Sequence, residues 1–270
     1  MAQRALPLPA ARLGRAVRSA GAPTAVSGVV LLLPDGEPDS HRRPSPLSYA
    51  LQLPLARALA RAGQDDGLAA HVVRYRCRGW NATDAQLAAD AEWAVEEVVR
   101  RYGDVPVCLA GHGMGGRAAL RAGGHSAVDS VLAMAPWLPE AGARVGAGAG
   151  ADGSAGADGA EGAEPVKHLL GRQVLLVHGT NDARTDPELS FRLAERAKKT
   201  NRDTCRFEVH SDGHALRQHR AEVNALAADF VCGSLFGRAY ARPVADALAA
   251  PPPLGLRMPL AAGFGKSLRG

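Results

Sequence analysis

Aromatic side chains are scarce in this chain, at 4% of 270 residues, so any core must be filled by aliphatic residues and alanine; a hydrophobic share of 46% supplies them. Closely spaced cysteines are also lacking. Cys77, Cys108, Cys205 and Cys232 form no C-x-x-C pair, which points to buried reduced thiols and a reducing compartment. No apolar run reaches bilayer length: "AVSGVVLLLP" at 25–34 is too short to span. Acids are missing from residues 1–20, which carry Arg4, Arg12, Arg15 and Arg18. No apolar stretch of signal-peptide length and no small-residue cleavage site follows, so a targeting peptide is not expected there. The net charge of +5 comes from arginines interleaved with acids, with no concentration on one face of the kind a nucleic-acid binder needs. A soluble cytoplasmic protein with neither nucleic-acid nor membrane partners is expected.

Short apolar runs alternate with amphipathic ones, the mark of βαβ units and a parallel sheet. Strands are expected at 26–34, 68–77, 105–111, 127–136, 172–179 and 205–210. Helices are expected at 54–63, with Pro54 in the first turn and Gly63 as stop, and at 84–103, 186–199 and 221–237; another helix follows "GHGMGG". The long helix at 84–103 has acids early, Arg100 and Arg101 late and Gly103 after its end, as the helix dipole favours. Residues 141–164 are Gly/Ala-rich with scattered acids and cannot bury enough apolar area to offset ordering entropy, so a disordered loop at a lid position is expected. The expected organisation is a flexible basic N-terminus at 1–23, one α/β domain at 24–240 and a disordered tail at 241–270, with "PPP" at 251–253.

The most informative stretch is "VPVCLAGHGMGGRAAL" at 105–120. An apolar strand runs into a glycine-rich turn and then a helix, the setting of the nucleophile elbow G-x-S-x-G. The pentad is Gly111-His112-Gly113-Met114-Gly115, so every part of the elbow is present except the serine. The same residues fit G-x-G-x-x-G formally, but they follow a later strand than the first and no acid ends the next strand, which argues against dinucleotide binding. No metal and no cofactor are expected.

Two later motifs bear on the elbow. "LLVHGTNDART" places Asp182 on a loop past a buried strand, and "EVHSDGHALRQH" places His214 past the last strand. Nucleophile, acid, histidine is the chain order of a triad built on an elbow. Asp182 would hold the imidazole tautomer and His214 would be the general base. Taken singly, an aspartate in "NDART" is an ordinary loop or cap residue and a histidine in "DGH" an ordinary turn residue; the argument lies in their joint placement.

With these residues in hand, the chain resembles the α/β-hydrolase superfamily, specifically small esterase-like bacterial members. The resemblance rests on "PVCLAGHGMGGRAALR", "RYRCRGWN", "VLAMAPWLP", "VHGTNDARTDP" and "DGHAL" and spans roughly residues 26–236. It implies an α/β fold with a mostly parallel twisted sheet, helices on both faces and a minimal or disordered lid. It also implies a small acyl ester or thioester as substrate and a serine where Gly113 stands, with Asp182 and His214 as acid and base. The backbone N–H of Met114 and, with Asp35-Gly36 in the family's oxyanion loop, that of Glu37 are the implied oxyanion donors. Gly36, His112 and Trp80, with Arg78 near them, are expected at the substrate pocket.

Glycine cannot attack a carbonyl, so no acyl-enzyme forms at 113. Three readings remain at this point. The chain hydrolyses weakly through water activated by His214–Asp182; it uses the dyad as a base without hydrolysis; or it only binds a ligand or partner.

Overall fold

The structure, a computed structural model, describes residues 9–140 and 163–266. Eight strands form one sheet: β1 (Arg12–Leu13), β2 (Gly28–Leu33), β3 (Leu68–Arg74), β4 (Val107–His112), β5 (Val128–Met134), β6 (Gln173–Gly179), β7 (Thr204–Val209) and β8 (Met258–Pro259). Their order is β1-β3-β2-β4-β5-β6-β7-β8. Every pairing is parallel except β1 with β3. The helices are α1 (Pro46–Ala62), α2 (Gln86–Tyr102), α3 (Met114–Ala122), α4 (Pro187–Thr200), α5 (Arg220–Phe236) and α6 (Arg242–Ala249).

The central strands are buried on both faces, which explains their continuous apolar runs. In β2, Val29, Leu31 and Leu33 join one core with residues of α2, α3 and α4. The alternate residues Val30 and Leu32 join the other, with residues of α1, α5 and α6. This two-residue alternation puts helices on both sides of one sheet. All four cysteines are buried and free, and burial pushes the Cys108 and Cys205 thiols up to about 12. No helix among the described residues is long and apolar enough to cross a membrane.

Three expectations need correction. Helix α1 begins at Pro46, capped by Ser45, and Pro54 lies inside it; burial of Leu55 and Leu59 on the core face offsets the backbone bond that an interior proline forfeits. Residues 12–17 are part of the sheet rather than a flexible arm. Leu13 pairs with Val73, and Val17 exchanges backbone hydrogen bonds with Ala70. The segment after 240 folds into α6 and β8, because Val244 and Leu256 are fully buried and the Lys198 ammonium donates to the Ala247 carbonyl at 2.9 Å. Of the expected loop at 141–164, residues 141–162 lie outside the described residues. At its far end Glu164 is buried and accepts from Arg117 at 2.7 Å and Arg121 at 2.6 Å.

Candidate active site

Strands β2, β4, β6 and β7 all end at one rim, and the loops leaving them bring the candidate residues together. At the end of β4 the chain turns at once into α3. Gly113 holds the apex at φ 58° and ψ −121°, a conformation costly to any residue with a Cβ. Gly115 lets the helix approach the sheet: a Cβ there would stand 2.1 Å from the Leu33 carbonyl oxygen.

Asp182 and His214 meet beside this turn. The His214 Nδ1 lies 2.8 Å from Asp182 Oδ2, and the same carboxylate accepts from the Thr185 hydroxyl at 2.6 Å and from the Arg184 and Thr185 backbone N–H groups. His178 Nε2 stands a further 3.2 Å from Oδ2. Burial opposes ionisation of Asp182, but these donors, His178 first, outweigh it and hold the carboxyl far below its ordinary range. For His214, burial disfavours the cation, yet the carboxylates of Asp35 and Asp182 on either side raise its pKa. His112 is lowered by burial and by the charge on His214. The two imidazoles meet edge to face with centroids 4.7 Å apart.

Sequence reasoning missed the group that completes the site. Asp35, on the loop leaving β2, points its carboxylate at the apex. Its Oδ1 accepts from the Met114 N–H and from the Gly36 N–H, both at 2.9 Å. Its Oδ2 lies 3.7 Å from His214 Nε2 and 3.5 Å from an Arg184 guanidinium nitrogen. A Cβ at residue 113 would stand 2.1 Å from Oδ1, so the carboxylate fills the space a side chain at the apex would need. Burial raises the Asp35 pKa, but the His214 and His112 imidazoles with the Met114 N–H together lower it by more, for a net fall. The one signal in the sequence was an acid two residues past a fully apolar strand, in "LLLPDGE".

The other expected residues divide. Met114 donates its N–H to Asp35 Oδ1, and the Glu37 N–H is donated to the Arg78 carbonyl at 3.0 Å. The second donor on the shared acceptor is Gly36, because the Asp35-Gly36 turn aims that N–H back at the aspartate. Trp80 is buried under the Arg117 guanidinium, 3.9 Å from the ring centroid, and lines a different groove. Arg78 pairs with Glu37 at 2.8 Å. Asp35, His112 and His214 line one cavity of about 310 Å³, walled by Leu51, Leu55 and Val223 and rimmed by arginines 184, 217 and 220. Neither Gly36 nor Trp80 is among its lining residues.

No protein-family description and no curated protein matches this sequence. Solved structures do. An esterase from Pyrococcus furiosus superposes with a TM-score of 0.56 at 14% identity, covering 78% of this chain and 83% of that one. Est1E from Butyrivibrio proteoclasticus, solved with ferulic acid bound, gives 0.53 at 16% identity, covering 83% and 94%. A serine hydrolase without a lid from Xanthomonas campestris gives 0.50 at 15% identity, covering 82% and 86%. Strand order and superposition agree: this chain has the α/β-hydrolase fold.

Proposed function

We propose that this chain binds small acyl compounds, meaning esters, thioesters or their acids, in the cavity beside His214 and does not cleave them through an acyl-enzyme. One observation carries the reading: both backbone donors at the apex are already bonded to the Asp35 carboxylate. Acyl transfer needs a nucleophile and a pair of donors free for the developing oxyanion. Here Gly113 lacks the first, and an anion occupies the second. Water-mediated hydrolysis through His214–Asp182 meets the same obstacle, since a tetrahedral oxyanion would have to displace a carboxylate. The dyad remains able to move a proton at Nε2 in the cavity. Apolar walls suit an acyl chain, the arginine rim suits an anionic end, and a structural neighbour was solved with ferulic acid bound.

Purified protein assayed on p-nitrophenyl acetate and butyrate should show no burst, and a fluorophosphonate probe should not label it. Titration with butyrate through octanoate, followed by ligand-observed NMR, should show saturable binding that weakens in Leu55→Asp. Steady His214-dependent turnover would replace this reading with the water-mediated one. Absence of binding across the series would remove the acyl ligand class.

A further inference from the structure

We propose that Asp35, His112 and His214 form a binding site for a divalent first-row transition cation of the zinc class. The inference stands on the three side chains and does not depend on the acyl-ligand reading. One ligand atom from each residue lies within 4.8 Å of the others. Bonds of about 2.0–2.2 Å to a tetrahedral ion put ligand atoms about 3.4 Å apart, and His214 Nε2 already lies 3.7 Å from Asp35 Oδ2. Movement on the order of 1 Å closes the rest, within reach of small side-chain rotations.

Three independent features aim these groups at a shared point. The His214 Nε2 is buried and has no hydrogen-bond partner among the described residues, on a side chain only 10% exposed. A buried ring nitrogen left without a partner costs free energy unless something takes its lone pair or proton. Each histidine also has its other nitrogen held in the manner of a metal ligand, which usually donates the remaining N–H to a carboxylate or a backbone carbonyl. His214 Nδ1 meets Asp182 Oδ2 at 2.8 Å, and His112 Nε2 meets the His214 carbonyl oxygen at 2.8 Å. That arrangement leaves His214 Nε2 and His112 Nδ1 as the ring nitrogens not engaged in these bonds and open to an ion. Finally, the two N–H bonds on Asp35 Oδ1 fix the carboxylate and leave Oδ2 to bind.

Two imidazoles and one carboxylate suit zinc, cobalt, nickel or ferrous iron better than magnesium or calcium, which take oxygen ligands. All three residues line the 310 Å³ cavity, so positions left open on the ion are reached from it, as in zinc sites with three protein ligands. Arg184 is the competitor. Its guanidinium lies 3.5 Å from Asp35 Oδ2 on a side chain 66% exposed, and it must swing outward as the ion enters. A bound cation takes the Nε2 lone pair, so the loaded chain presents an electrophile to the cavity where the cation-free chain presents a base.

The test is calorimetry of the tag-free, chelator-stripped full chain with zinc chloride, paired with the visible spectrum of its cobalt(II) form. One equivalent should bind, with cobalt bands of the intensity seen in four-coordinate sites. Asp35→Asn, His112→Gln and His214→Gln should each weaken binding by about tenfold or more. Asp182→Asn, which touches no ion, should weaken it about 10–100-fold, and Arg184→Ala should tighten it. Each variant is first shown to keep the wild-type far-ultraviolet spectrum. Should one unfold, the wild-type cobalt spectrum and the Arg184→Ala titration decide. No stoichiometric binding to the wild type, or binding unchanged by the three ligand variants, overturns the proposal. Esterase assays play no part in this test, so its failure is separable from failure of the functional reading.

Discussion

Placing a serine at residue 113 should fail by itself to give a reactive protein, and the reason can be worked through in numbers. In Gly113→Ser the new Cβ would sit 2.1 Å from Asp35 Oδ1 and 2.5 Å from its Cγ, distances no side chain tolerates. Asp35 must leave, giving up two backbone bonds to a charged acceptor, each worth about 1.5–3 kcal/mol. With about half recovered by hydration of the released carboxylate, the loss is about 1.5–3 kcal/mol. Forcing a Cβ onto φ 58° and ψ −121° adds about 1–3 kcal/mol. The single variant should therefore be destabilised by roughly 2.5–6 kcal/mol. In an Asp35→Gly background only the backbone strain remains, so Gly113→Ser should cost about 1–3 kcal/mol there. Urea unfolding of the four proteins closes a double-mutant cycle with an expected coupling of about 1.5–3 kcal/mol. The double variant frees the Met114 and Gly36 donors, and it is the protein expected to react with a fluorophosphonate and to show a burst on p-nitrophenyl butyrate. If Gly113→Ser costs the same in both backgrounds, or if the single variant labels as well as the double, the carboxylate does not occupy the apex and the reasoning is wrong.

Glu164→Gln should destabilise the chain by about 3–5 kcal/mol in thermal or urea unfolding, because it strands the half-buried Arg117 and Arg121 guanidinium groups that Glu164 pairs; a change under 1 kcal/mol would mean that water already serves those arginines. His71 should make stability fall in mild acid. Its imidazole is held below its ordinary pKa by burial, which outweighs the bond to the Gly14 carbonyl. The unfolded chain then takes up a proton before the folded one, so this contribution is complete above about pH 6.5 and is lost as pH drops toward the lower folded value. Unfolding midpoints of wild type and His71→Asn, compared at pH 7.5 and 5.5, should show the larger acid loss in the wild type.

The sheet was legible because strands buried on both faces must be continuous apolar runs, and "GVVLLL", "VCLAG" and "VLLVHG" can be little else in a chain alternating with amphipathic segments. The start of α1 was not legible, since Pro54 looks like a first-turn proline; the true start uses the Ser45 cap and Pro46. The short strands β1 and β8 were hidden for another reason. β1 and β8 are two residues long, with no periodicity to read, and they are ordered by contacts with β3 and β7 that sequence does not display. Within the site, Asp182, His214 and the Gly113 turn announced themselves through their positions after strands. Asp35 did not, because its importance depends on what is missing 78 positions later.

That dependence suggests how the two positions work together. Without Asp35, the turn at Gly113 would leave the Met114 and Gly36 N–H groups without the acceptor they have here, and an unpaired buried donor costs about 1–3 kcal/mol. It would also leave His214, held by Asp182 through Nδ1, with no negative charge near Nε2. A carboxylate entering from the neighbouring strand end bonds the two donors and places negative charge 3.7 Å from His214 Nε2, near the ring but short of a hydrogen bond to it. It can enter only because glycine at 113 leaves room. Gly113 and Asp35 therefore act as one unit, and either alone would be unfavourable: an apex side chain beside Asp35 collides with it, and Gly113 without Asp35 strands the donors. With the Met114 and Gly36 N–H groups bonded to Asp35 in the resting protein, the geometry of the turn stabilises that state and holds Asp35 in the wall of the cavity.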